Sequence, residues 1–212
     1  MSTASLTAAG LARAARVLCR RDPDLARVVA AHGLPPLWDR PTGFATLTLI
    51  ILEQQVSLAS ARATYERLRE ASGGAVTPAA FLGFADAELR AFGFSRQKTG
   101  YVRGMAEHIL TGRFDPDALA ALPDAEVRVR LVALKGIGTW TADIYLLMAL
   151  GRPDIWPRGD LALIKAAHAV KGHPLKAGPE AWEALAEPWR PYRAVAARLL
   201  WQYYLAQRRP GA

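Results

Sequence analysis

The sequence predicts an all-α protein of about ten short helices. Ala, Leu and Arg dominate it, and the period-two alternation of β-branched residues that marks half-buried strands is scarce. Apolar positions recur at helical spacing, most plainly Leu47, Ile51, Leu58, Ala61, Tyr65 and Leu68. Gly, Pro and capping Asp residues interrupt these stripes before any becomes long.

In chain order, residues 5–20 and 23–32 read as two helices, with Asp22-Pro23 opening the second. A proline-rich connector from Leu34 to Pro41 precedes a long helix that begins near Phe44. Thr46–Leu52 alone could pass for a strand, but the stripe runs on to Leu68, and Gly73-Gly74 ends it, so length decides for helix. Further helices are expected at 78–83, 86–92, 96–111, 116–121, 124–133 and 139–150. After Asp160 they are expected at 161–171, 179–186 and 191–207.

The 212 residues fit one compact domain or two small, closely packed ones. No apolar run reaches membrane-spanning length, and the N-terminus lacks the pattern of a secretory signal. A single cysteine, Cys19, excludes a disulfide framework and an all-cysteine zinc or iron–sulfur site. An inert, partly buried thiol and a cytoplasmic location are expected. The net charge is +8. It divides as +3 over residues 1–40, zero over 41–150, +1 over 151–186 and +4 over 187–212. If the two chain ends fold together they make one basic face suited to a polyanion, although a bias toward Arg and Ala in composition would give the same excess.

Leu134-Lys135-Gly136-Ile137-Gly138 places two glycines around one apolar residue. Glycine lets the backbone turn tightly and approach a ligand, Ile137 can anchor the turn, and the helix that follows offers free N–H groups to a phosphate. Gly-Ile-Gly alone reads equally as a tight helix–helix turn. Beyond it, Trp156-Pro157-Arg158-Gly159 delivers Asp160 to the start of a helix, where Asp is most often an N-cap.

Taken with Trp140-Thr141-Ala142, this stretch resembles the helix–hairpin–helix DNA glycosylase superfamily, and more closely its 3-methyladenine DNA glycosylase II family. Ile50-Ile51-Leu52-Glu53-Gln54-Gln55-Val56-Ser57 resembles that family's Gln-rich helix end and wedge loop. Gly93–Lys98 with Tyr101, and Pro188–Arg193 with Trp201, resemble its other segments, so the likeness covers roughly residues 35–207. It implies a two-lobed fold, with residues 1–41 and 155–212 as one lobe, residues 42–154 as the other, and an active site in the cleft between them. The chain resembles the compact form, without the N-terminal β-domain of larger members.

The resemblance implies a monofunctional enzyme that hydrolyses the N-glycosidic bond of alkylated purines in double-stranded DNA and leaves an abasic site. Asp160 would stabilise the positive charge that grows on the deoxyribose as the base departs. Trp140 and Trp201 would wall the base pocket, where electron-rich rings favour a cationic base. Tyr145 and Tyr192 are further candidates, for which core packing is the competing reading. Gln55, with Gln54 beside it, would fill the gap left by the flipped base. Lys135, Gly136 and Gly138 would meet a phosphate. The carbonyls of Val132, Leu134 and Ile137 would hold a monovalent cation, Na+ or K+, and no other cofactor is expected. Lyase members carry a lysine where this chain has Trp140, so no strand cleavage is expected. A monomer is expected. Glu53, an acid beside the wedge, must cap, pair with an arginine or point inward. Another lesion preference, or a DNA-binding module without catalysis, are the competing functions.

Overall fold

The computed structural model describes residues 5–208. Among them are twelve α-helices, two short 3₁₀ turns and no strand. The helices are α1 Ala8–Arg21, α2 Pro23–His32, α3 Phe44–Glu53, α4 Leu58–Ala71, α5 Pro78–Gly83 and α6 Asp86–Phe92. They continue as α7 Arg96–Leu110, α8 Asp124–Val132, α9 Thr139–Met148, α10 Leu161–Lys171, α11 Pro179–Ala186 and α12 Arg193–Ala206. No helix among the described residues is long and apolar enough to cross a membrane.

Three expectations need correction. The long helix from Phe44 to Gly73 is two helices, because the chain leaves helical geometry at Gln54 and turns left-handed at Gln55, with φ +58°. Ser57 then caps α4 by accepting from Ser60 N at 3.2 Å. Residues 116–121 shrink to a 3₁₀ turn, Ala118–Ala121. The last helix starts at Arg193 and not at 191, after a second 3₁₀ turn, Glu187–Trp189.

The chain forms two compact units: residues 40–145, and residues 5–39 with 146–208. In the first, α3 packs on α4 and α7, and α5 packs on α7. Phe81 meets Phe44 edge to face and Phe94 at a tilt, with ring centroids 6.1 and 5.5 Å apart. Arg128 of α8 binds the buried Asp143 of α9 at 2.6 Å and so holds the two helices of the hairpin together.

In the second unit α12 packs against α2, α10 and α1. Its residues from Arg193 to Trp201 are all buried, so this helix is the centre of its unit and has no solvent face along that stretch. Arg198 is fully buried and stays within hydrogen-bond reach of three carbonyls. It donates to Leu37 O at 2.8 Å, Leu147 O at 2.8 Å and Ala194 O at 3.1 Å. Burial pushes its pKa down to about 10, which still leaves it charged at neutral pH. The Leu147 bond ties the end of α9 to α12, so this unit resumes at residue 146 and not at 155. The Leu37 bond fixes the proline-rich connector.

Asp22 both caps α2 and ties the termini of this unit. It accepts from Asp24 N at 3.0 Å, Trp189 Nε1 at 2.8 Å and Lys171 Nζ at 3.0 Å. Burial pushes its carboxyl up, but the Trp189 and Lys171 hydrogen bonds outweigh that and hold its pKa below the ordinary value.

Candidate active site

The hairpin of the first unit spans the end of α8 to the start of α9. Leu134 and Ile137 are buried and anchor it, while Lys135 and Gly138 are exposed. Leu134 N donates to Leu131 O, and Ile137 N to Leu134 O, both at 3.1 Å, closing two successive tight turns. The two glycines differ. Gly136 has φ +88°, and a Cβ there would fall 2.2 Å from the ring of Tyr101. Gly138 has no such φ, and a Cβ there would meet open space. The protein itself therefore requires glycine at 136 and not at 138.

The loop between α3 and α4 lies against this hairpin. Gln54 Nε2 donates to Gly136 O at 2.9 Å and to the buried Thr141 Oγ1 at 3.0 Å. Its amide is thus committed to the hairpin, whereas Gln55 is exposed at the loop tip. The structure separates two residues that the sequence offered together as a wedge: Gln54 is a tie, and Gln55 is the exposed member of the pair. Val56 and Leu58 beside it are also exposed, at 47% and 61%. Glu53 is explained by Arg40, which grips it with two bonds of 2.9 Å. An open groove of about 500 Å³ joins Gln54, Gln55, Gln97, Lys98 and Tyr101 to residues 132–138.

In the second unit, Gly159, at φ +73°, turns the chain so that Asp160 becomes the N-cap of α10. Its Oδ1 accepts from Leu163 N at 2.9 Å and from Trp201 Nε1 at 3.1 Å. Asp160 is 9% exposed. Two donors on one oxygen fix the plane of the carboxylate while its charge stays within a largely buried setting. Trp201 is 7% exposed and meets Trp38 edge to face, centroids 6.4 Å apart. Trp38 itself has φ +50°. Trp182 borders the shallow depression that holds Asp160, along with Trp156 and Leu163. Trp38, Trp182 and Lys98 were not singled out by sequence reasoning. Trp38 and Trp182 carry no signal beyond residue type, whereas Lys98 lies in the Gly93–Lys98 segment of the resemblance.

Trp140 lies partly exposed on α9 of the first unit. Tyr145 is fully buried in that unit and its hydroxyl accepts from Gly43 N at 2.9 Å, so it is a core residue and offers no face to a base. Tyr192 is partly exposed just before α12, and its carbonyl accepts from Val195 N and Ala196 N. Val132 ends α8, and Leu134 and Ile137 follow in the hairpin, where the Leu134 carbonyl accepts from Ile137 N. Among the described residues no group of His, Cys, Asp or Glu could hold a metal, so a cation here would rely on carbonyl oxygens.

Residues 49–191 match the HhH-GPD superfamily base excision DNA repair protein family, and the chain belongs to that family. It is 26% identical over 188 residues to YfjP of Bacillus subtilis, a match covering 84% of this chain but only 64% of that relative. Among solved structures it is similar to the DNA-3-methyladenine glycosidase of Bacillus halodurans, with 31% identity and a TM-score of 0.75 over 92% of this chain and 91% of that one. The 3-methyladenine DNA glycosylase Mag1 of Schizosaccharomyces pombe, in complex with abasic DNA, is 26% identical with a TM-score of 0.77. That match covers 89% of this chain and 95% of Mag1.

Proposed function

We propose that the protein is a DNA glycosylase of base-excision repair that hydrolyses the N-glycosidic bond of alkylated purines, of the 3-methyladenine and 7-methylguanine type, in double-stranded DNA. The observation that carries this reading is Asp160, a nearly buried carboxylate fixed by Leu163 N and Trp201 Nε1 on one oxygen. The C1′–N bond breaks with its electron pair going to the base. An N-alkylated purine is cationic and so leaves neutral, while the sugar becomes an oxocarbenium ion that the Asp160 charge stabilises. Water then adds to C1′ and gives up a proton, completing an abasic site.

A good leaving group reduces the need for a strong general acid, so discrimination falls to aromatic rings that prefer a cationic base. Trp201 is assigned this role along with holding Asp160, and Trp140 carries the same assignment. Gln55 fills the space of the flipped base, and the hairpin amides of Gly136 and Gly138, with Lys135, hold a phosphate. The resemblance to monofunctional members, with Trp140 in place of a lysine, supports hydrolysis without strand cleavage.

Duplexes with single defined lesions test the reading when base release and strand cleavage are scored separately. Release of 3-methyladenine and 7-methylguanine is expected, with strands intact until alkali is added. Strand cleavage without alkali would remove the monofunctional assignment, and equal release of neutral hypoxanthine would remove the cationic-base preference. For the carbonyls of Val132, Leu134 and Ile137, the donor chemistry fits Na+ or K+, whose bound charge would add to phosphate attraction at the hairpin. Crystals soaked in thallium(I) should show an anomalous peak beside them, and its absence would withdraw the cation.

A further inference from the structure

Lys98 has no part in the chemistry above, yet it is partly buried beside the wedge loop. Its ammonium donates to Leu52 O at 2.7 Å and to Gln54 O at 2.9 Å. These carbonyls end α3, where the helix dipole is negative and oxygens lack helical donors. Burial lowers the Lys98 pKa, a desolvation cost that these two hydrogen bonds oppose.

The same residue 54 is held from its other side, because Gln54 Nε2 is bound to Gly136 O and Thr141 Oγ1. Three residues on, Ser57 is fixed as the cap of α4. Between these two fixed points stands Gln55, exposed and left-handed at φ +58°. A residue with a Cβ relaxes out of that region unless its surroundings hold it there. A tip that must enter stacked bases gains from being ordered beforehand, since the ordering cost is then not charged to insertion.

We infer that Lys98 is the positioning residue that locks the Gln55 tip in its projecting left-handed conformation, so that base flipping meets a preformed wedge. This rests on the proposed glycosylase reading and on Gln55 as its wedge. Lys98 also binds the loop to α7 while Gln54 binds it to the hairpin, so the tip is fixed relative to the proposed phosphate site of the same unit.

The test compares single-turnover release of 7-methylguanine from two duplexes. In one the lesion faces cytosine, and in the other it faces an abasic-site analogue, where no orphaned base needs a wedge. Lys98→Met is expected to lose about tenfold or more on the first and less than about threefold on the second. Lys98→Arg, which keeps a cationic donor, is expected to recover most of the loss. Gln54→Leu releases the other side of the loop and should give the same substrate-selective loss, which decides the matter if Lys98→Met does not fold. Equal losses on both duplexes would make Lys98 merely structural, and no loss on either would leave it without a role; each overturns the inference. A parent protein inactive on both duplexes would instead overturn the glycosylase reading.

Discussion

Asp160→Asn is expected to lower base release by about a hundredfold or more while leaving fold and duplex affinity intact. Asparagine is as good an N-cap as aspartate, and its amide oxygen can still accept from Leu163 N and Trp201 Nε1. The substitution keeps these two acceptor bonds and removes the negative charge. Because Asp160 is only 9% exposed, that charge acts on the sugar through little screening water. A hundredfold loss corresponds to about 2.7 kcal/mol of transition-state stabilisation. The measurement is single-turnover release of a methylated purine, alongside thermal unfolding and binding to an abasic duplex. Release at the parent rate would show that Asp160 is only a helix cap.

Helices α2, α5, α6, α10 and α11 have the bounds that the sequence suggests, because their start and stop signals are local. Asp22-Pro23 opens α2, Thr77-Pro78 opens α5, and Gly93 and Gly172 close α6 and α10 in left-handed caps. Apolar periodicity continues in phase across the break at Gln54–Ser57, so only the resemblance to a Gln-rich helix end and wedge loop marked it. The contacts that hold it open come from Lys98 and Gly136, 44 and 82 residues away in sequence. Arg198 reads as a surface residue by type but is fully buried, and two of the three carbonyls that hold it, those of Leu37 and Leu147, are remote in sequence.

At the candidate site, types and local order were legible: a glycine hairpin, an aspartate at a helix start, a pair of glutamines at a helix end. Their partners were not. The link from Trp201 to Asp160 crosses 41 residues, and the clasp of Arg40 on Glu53 crosses 13. Tyr145 shows the same limit from another direction. Residues 141–147 are buried on every side of α9, so no stripe tells a core ring from an exposed one.

Gly136→Ala and Gly138→Ala are expected to fail in different ways, although the two glycines look equivalent in Gly-Ile-Gly. At 136 an added Cβ would sit 2.2 Å from the Tyr101 ring with φ at +88°, so both overlap and backbone strain oppose it. The combined cost is about 2–4 kcal/mol, or roughly 5–15 °C in melting temperature for a chain of this size. The disturbance also reaches the wedge loop, because Gln54 is bound to Gly136 O. At 138 the Cβ meets open space, so thermal stability should change by less than about 1 kcal/mol. Its effect appears only if something outside the protein approaches the hairpin closely. A phosphate held by backbone amides is such a ligand, and Gly138→Ala should then weaken undamaged-duplex binding by about tenfold. Thermal unfolding and duplex titration of the two variants separate these causes. Parent-like binding by Gly138→Ala would mean that no phosphate comes within van der Waals reach of the hairpin at that position.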